Sequence, residues 1–353
     1  MSKRKFKDKD FIQSLEGFFF CVVGYSHPDD KILSYIRYMP NISGEWGNIS
    51  AKYSRTMHSY TIPYLIKNID ILRKDYPDYI FYSDIFNTWM SAVPHKRIMK
   101  FFCPEQRLEQ IFKLEKPDLL QNKAIKLVTL ISEKSGTPVS SIGVTGSILI
   151  DIHRLECSDI DLTVYGRKNS LKIKETLLSL YEEKEKDISK LHGDSLNRWC
   201  KEKVEDYPLT FDEAKKLYDR KWNYGLFERT NFSIHPVKLD SEITEQYGDK
   251  IFTPVCVIKI KATISEISDS LFLPHTYSVQ KVIVEEGPEL HDIREVTVYE
   301  GVYSGIFEIG EEIIVRGKLE KVVDKRSQEV YYRVLVGSLS GKGVEYIKPI
   351  NHQ

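Results

Sequence analysis

The sequence predicts an α+β protein in three parts, and three observations predict it. The first hundred residues read as short strands and turns rich in aromatics. From Pro104 apolar residues recur at helical spacing between short strands. After about Phe252 helical spacing stops and strand-like alternation takes over. A chain of 353 residues is also too long for one ordinary core. The reading is therefore an N-terminal α+β domain of unassigned role (1–103), a mixed sheet with helices (104–250) and a small C-terminal β-barrel of the OB type (251–353). A β-sandwich is the alternative for the last part.

In the first part, Phe18 to Val23 forms a buried-strand pattern between Gly17 and Gly24, and Lys31 to Tyr38 a second strand ended by Pro40. A helix is expected around Ile62 to Lys74. In the second part, Leu108 to Ile131 has helical period with a break near Pro117, and Gly136 and Pro138 end it. Ser141 to Thr145 reads as a strand, Ser147 to His153 as a helix and Asp159 to Tyr165 as a strand. Leu171 to Leu191 reads as an amphipathic helix. Thr210 and Glu213 form a capping box opening a further helix, and Asn231 to Leu239 alternates as a strand. In the third part, Val255–Ala262, Tyr277–Val284, Arg294–Tyr299, Glu312–Val323 and Val330–Val336 are five strand candidates.

Composition excludes several classes. Lys plus Arg and Asp plus Glu are both 51, so the chain carries no basic coat for duplex nucleic acid, although a local basic groove is compatible with zero net charge. Five scattered cysteines without a CxxC pair signal neither a zinc ribbon nor a disulfide framework, and reduced thiols fit a cytoplasmic protein. The longest apolar run, Phe18 to Val23, is far short of the roughly 20 residues of a membrane helix. The basic stretch Lys3 to Lys7 is not followed closely by a signal-peptide core. No membrane partner is expected.

The chemistry lies in the second part. Asp159 and Asp161 stand two apart on a predicted strand, so their side chains share a face while Ile160, Leu162 and Val164 enter the core. Carboxylates this close repel, and a divalent cation between them relieves the cost of ionising both. Upstream, Ile142 to Thr145 runs into Gly146-Ser147. The glycine permits close approach of a phosphate, and Ser147 offers a hydroxyl.

Val144-Thr145-Gly146-Ser147 followed by Ser158-Asp159-Ile160-Asp161-Leu162 resembles the signature of the DNA polymerase β-like nucleotidyltransferase superfamily. The resemblance covers residues 120 to 240. More narrowly, the whole chain resembles a set of uncharacterised archaeal proteins taken to be nucleotidyltransferases. The resemblance implies a nucleotidyltransferase-like mixed sheet, a catalytic metal role for Asp159 and Asp161 with Mg2+ or Mn2+, and phosphate contacts from Gly146 and Ser147. The partner would be an NTP, with RNA or DNA presented by the C-terminal barrel as an acceptor. Cations expected near the triphosphate are Arg154, the best placed, with Arg167, Lys168, Arg220, Lys221 and Arg229.

The pattern departs from the superfamily at one point. A third carboxylate is expected on the strand Asn231 to Val237, and Ser233 falls where it should stand. His235 could serve as a base, and Glu228, Asp240 and Asp151 are other replacements. Two readings stay open: a working transferase, or a fold that binds nucleotide or nucleic acid without turnover. Gly337 to Gly343 resembles a P-loop but is one residue short between its glycines and lacks the final Ser or Thr, so it reads as a hairpin turn. His153 and Cys157 have no second pair to make a zinc site.

Overall fold

A computed structural model describes residues 4–48 and 50–350. Among them are three sheets and seven helices, a mixed α+β architecture. The N-terminal sheet contains β1 (Phe11–Ser14), β2 (Phe19–Val22), β3 (Lys31–Pro40), β4 (Trp46–Gly47) and β5 (Lys52–Arg55). It also contains β6 (Ile80–Ser83), β7 (Thr88–Pro94) and β8 (Ile98–Phe102), with α1 (Ile62–Asp75) between β5 and β6. Its main path is β4-β5-β3-β2-β1-β8, and β7 pairs with β3 and carries β6.

The second sheet is mixed and runs β11-β12-β13-β10-β9: β9 (Ile142–Val144), β10 (Ile160–Tyr165), β11 (Ile188–Ser189), β12 (Tyr224–Phe227) and β13 (Thr230–Val237). Only β10 and β13 are parallel; the other neighbours are antiparallel. Helices α2 (Pro104–Phe112), α3 (Leu119–Ser135) and α5 (Arg167–Glu182) share one core with it, built from Leu108, Ala124, Leu127, Ile173 and Leu177 against Ile160, Leu162 and Val164. Burying each of those three strand residues contributes roughly 1.5–3 kcal/mol, enough to hold β10 in place although it carries carboxylates on its other face.

Differences from the sequence reading have local causes. The helix after Gly146 is a single turn, α4 (Gly146–Leu149), because Asp151 turns to φ +59° and the chain leaves helical geometry. The expected helix Leu171–Leu191 is instead α5 ending at Glu182, followed by β11, with Lys184 at φ +55° marking the turn. A helix not foreseen, α6 (Gly193–Asp206), follows. Gly136, at φ +63°, caps α3 in the left-handed conformation.

The Thr210–Glu213 box opens α7 (Phe211–Asp219). The Thr210 hydroxyl accepts from the Glu213 N–H at 3.2 Å, and the Glu213 carboxylate accepts from the Thr210 N–H at 2.8 Å. Thr210→Ala should cost about 1 kcal/mol in denaturant unfolding, the worth of one exposed N-cap. An unchanged midpoint would mean that α7 is held by packing alone.

The third sheet contains β14 (Lys250–Glu266), β15 (His275–Glu286), β16 (Ile293–Val298), β17 (Glu312–Asp324), β18 (Glu329–Val336) and β19 (Tyr346–Pro349). Its order is β14-β15-β16-β18-β17-β19. Because β14 also pairs with β17, the path of the first five strands returns to its start. β16 and β18 are parallel. Trp199 and Cys200 of α6 and Leu217 and Tyr218 of α7 join the core of this sheet. The segment read as a hairpin turn is a 3-10 turn, Leu339–Gly341, leading to β19, which pairs with β17 and not with β18.

Candidate functional site

The site begins at the hinge between β9 and β10. Thr145 passes the chain to Gly146, whose φ of +64° disfavours residues bearing a Cβ. A Cβ there would lie 2.4 Å from Asp161 Oδ2, so the carboxylate occupies the volume that glycine leaves empty. Gly146→Ala must accept left-handed strain and displace Asp161, and should lose about 1–3 kcal/mol in denaturant unfolding. A variant as stable as the parent would show that the turn relaxes.

Asp159 and Asp161 both line one cavity of about 950 Å³, walled by all three sheets. Asp159, just before β10, has an exposed side chain at this cavity. Its carboxyl is pushed up to about 7, first by burial and then by Asp161, while a hydrogen bond from Asn231 and the charge of Arg55 pull the other way. Among the described residues no Lys or Arg lies within 4.0 Å of either carboxylate; the nearest cationic candidate is His235, with Nε2 4.0 Å from Asp161 Oδ1.

The parallel register sets Asp161 directly beside Ser233. The Ser233 hydroxyl donates to Asp161 Oδ1 at 2.5 Å and lies 2.9 Å from His235 Nε2. Its single proton goes to the carboxylate, so the imidazole donates to Ser233 from Nε2. Burial, with the charges of Lys9, His275 and Lys221, holds His235 well below its ordinary range and therefore neutral. Its lone pair does not face the carboxylates, and His235 acts here as a brace.

The other expected residues separate. Ser147 is buried and its hydroxyl donates to Ser158 Oγ at 3.3 Å, away from the cavity. Arg154 lies off the cavity, with Nε 3.6 Å from Glu156, because the single-turn α4 carries the chain aside before residue 154. Arg167 pairs with Asp269 and Arg220 with Glu311. Among the expected cations only Lys221 lines the cavity: it is buried, donates to the Gly301 carbonyl at 2.6 Å, and is lowered to about 7 by burial and by Lys203. Of the replacement acids, Asp151 pairs with Arg107, Glu228 with Lys126 and Asp240 with Lys7, all off the cavity.

The structure adds residues that sequence reasoning missed. Glu202 of α6 lines the cavity and adds to the charge that raises Asp159. Glu300 is buried in the same wall and pushed up to about 8, by burial first and then by Glu345 and Asp206. Lys9 stands opposite Asp161 because the Thr145 hydroxyl donates to the Lys9 carbonyl at 2.7 Å. The N-terminal sheet is further fixed by the Gly47 N–H to the Ile152 carbonyl, 3.0 Å, and by Phe19 and Trp46 packed with Leu149 and Ile152. Burial opposes the charge of Lys9, but Asp8, Cys21, Tyr60 and Asp161 outweigh it and raise its pKa.

The two decoys are accounted for. Glu345 accepts from the Gly337 and Ser338 N–H groups at 2.9 and 2.7 Å and from the Ser338 hydroxyl at 2.6 Å, so the loop's anion-facing donors already hold a carboxylate. His153 bonds Asp118 at 2.7 Å, and Cys157 is exposed.

Fold and site together define a three-sheet α+β protein with a carboxylate pair, at and just before the start of β10, facing a cavity walled by all three sheets. The chain is 32% identical over 352 residues to the uncharacterised protein MJ1086 of Methanocaldococcus jannaschii, covering 98% of this chain and 99% of that one, and it belongs to the same family. No family model and no solved structure matches it. Among the described residues no helix is long and apolar enough to cross a membrane.

Proposed function

We propose that the protein is a metal-dependent nucleotidyltransferase that moves an NMP from an NTP to an acceptor hydroxyl. The observation that carries this reading is the pair Asp159 and Asp161, without a Lys or Arg partner, set against Gly146 at the wall of a cavity large enough for a nucleotide and part of an acceptor. The donor set suits a hard divalent cation. Among the described residues no group of three or more His, Cys, Asp or Glu forms a ready cage. Mg2+ or Mn2+ commonly takes one or two carboxylates and completes its shell with water and phosphate oxygens. When bound, it would neutralise charge on the triphosphate.

The protein's own residues set the rest. Gly146 leaves room for the Asp161 carboxylate, Ser233 fixes the orientation of Asp161, and Glu202 brings a third acid from a helix. The acceptor oxygen would attack the α-phosphorus, its proton passing to a carboxylate, and pyrophosphate would leave. The closed path β14-β15-β16-β18-β17-β14, with its parallel β16–β18 pair, supports an OB-like barrel that presents RNA or DNA.

The register Asp161–Ser233 favours a second reading, a nucleotide- or nucleic-acid-binding protein without turnover. Incubation with each labelled NTP, Mg2+ or Mn2+ and pooled cellular RNA separates the two. Label incorporation that disappears in Asp159→Ala and Asp161→Ala supports the transferase. No incorporation with any nucleotide, alongside RNA binding by the full chain, supports the second reading and overturns the first.

A further inference from the structure

Of the cations expected beside the carboxylates only Lys221 lines the cavity, yet the cavity contains further positive charge, and part of it comes from the N-terminal segment. Leu33, Tyr35 and Arg37 alternate along β3 and all line the cavity. Arg37 is only 5% exposed, and among the described residues no carboxylate lies within 4.0 Å of it. Its guanidinium donates to the Met57 carbonyl and lies 4.2 Å from the Tyr60 ring centroid. Its main electrostatic neighbours are the hydroxyls of Tyr60, Tyr38 and Tyr35 and the Cys21 thiol, none of them a carboxylate.

Burying a charge costs several kcal/mol unless something of opposite sign meets it. A cation–π contact recovers only about 0.5–2 kcal/mol. Arg37 is therefore provided for only in part by the protein itself.

Two further cations share this wall. Lys9 has its Nζ 5.4 Å from the centroid of the same Tyr60 ring that Arg37 approaches. Arg55, held at 4.1 Å over Trp46 and bonded to the Tyr38 hydroxyl at 3.2 Å, keeps a buried Nε without a partner. Lys9 acts electrostatically on Asp161, and Arg55 on Asp159. Neither comes within 4.0 Å of those acids among the described residues, so space remains between the cationic wall and the acidic strand.

We propose that Lys9, Arg37 and Arg55 of the N-terminal domain form the binding site for the triphosphate of the nucleotide, with the phosphate chain lying between them and the carboxylates of β10. The inference rests on the transferase reading only for the direction of the α-phosphate; the polyanion site itself stands on the unpaired cations and the cavity. It gives the N-terminal sheet a role, that of substrate clamp. It also explains why that sheet is pinned at Thr145 and Ile152, beside the Gly146 turn.

The test is calorimetric titration of the full chain with inorganic tripolyphosphate, then with each NTP, in EDTA. Binding should be measurable and should weaken at least roughly tenfold in Arg37→Gln and in Lys9→Gln, the scale of a lost charge-assisted contact. Asp161→Asn should bind as well as the parent or better, because it removes a repelling charge. Lys9 is only half-buried, so Lys9→Gln keeps the test valid should Arg37→Gln fail to fold. Parental affinity in a folded Lys9→Gln or Arg37→Gln overturns the proposal. Absence of tripolyphosphate and NTP binding, with single-stranded RNA bound through Arg37 instead, also overturns it.

The outcome is separable from that of the catalytic reading. Tripolyphosphate binding without label incorporation leaves the clamp standing and removes the transferase. Incorporation untouched by the Lys9 and Arg37 variants does the reverse.

Discussion

Glu320→Gln is expected to destabilise the protein by about 3–5 kcal/mol, the usual cost of removing one partner from a buried ion pair. Glu320 on β17 is 1% exposed and serves two cations at once. Arg333 of β18 reaches it through Nε at 2.9 Å and a second nitrogen at 2.8 Å, and Lys318 lies 2.6 Å from its other oxygen. Arg333 also stacks on Phe252, 3.5 Å from the ring centroid, so its guanidinium cannot follow solvent when the acid is lost. The amide leaves a buried guanidinium and an ammonium without their direct carboxylate partner, with only Glu295 and Glu345 acting on them from longer range. Denaturant unfolding of the parent and variant measures the difference. A loss under about 1 kcal/mol would mean that water enters the cavity and solvates the pair.

Stability should also fall as the pH rises from about 5 to about 7, and Glu300 should carry much of the fall. Its carboxyl takes its proton near pH 8 in the folded chain and near its ordinary value of 4.5 when unfolded. Between those values the folded state holds a proton that the unfolded state releases. The stability from Glu300 is therefore complete below about pH 4.5 and is lost as the pH climbs through 8. The side chain is 2% exposed, so the full effect is on the order of 4–5 kcal/mol. Lys221, lowered to about 7, works in the opposite direction only above that pH, which is why the window ends there. Glu300→Gln should flatten the profile and be more stable than the parent at pH 7. Parallel profiles for the two proteins would assign the dependence to other acids, of which Asp159 is the first candidate.

Much of the fold was legible because its signals are local. The Thr210–Glu213 box, the Gly136 cap and the alternation of Ile160, Leu162 and Val164 each concern residues within one or two turns of one another, and each appears where the spacing placed it. The strands β9 and β10 were legible on either side of the Gly146 turn, but the reading gave Gly146 to a phosphate, and its contact with Asp161 came only with the structure. The errors arose where a turn interrupted a good pattern. Left-handed Asp151 and Lys184 ended two helices that apolar spacing would have continued, and the first carried Arg154 away from the phosphates.

The remainder of the site had no such signal. Lys9, Arg37 and Arg55 are ordinary surface-type residues spread over 47 positions, and only the docking of the N-terminal sheet on the Gly146 turn gathers them. Glu202 lies on a helix whose apolar positions are too few to announce it. Glu300 looks like any loop acid until its burial is known. Walls shared by three sheets are tertiary facts, and no periodicity within one segment encodes them.

The pairing of β14 with β17 has a further consequence for biogenesis. The partners in that ladder run from Lys250 with Asp324 to Thr263 with Glu312, so its chain separations span about 50 to 75 residues, and β16 must await β18 to complete its second edge. Contacts so distant are slow to form, because loop-closure entropy must be met before any ladder bond repays it. The second sheet, made earlier in synthesis, should acquire structure first, although its own β10–β13 pair also closes a separation of 72 residues. Through that interval the nascent chain carries β16 with a bare edge, a template for pairing with neighbouring chains. Ribosome density and chaperone access over this stretch, more than the strength of the finished fold, should then govern how much protein a cell recovers.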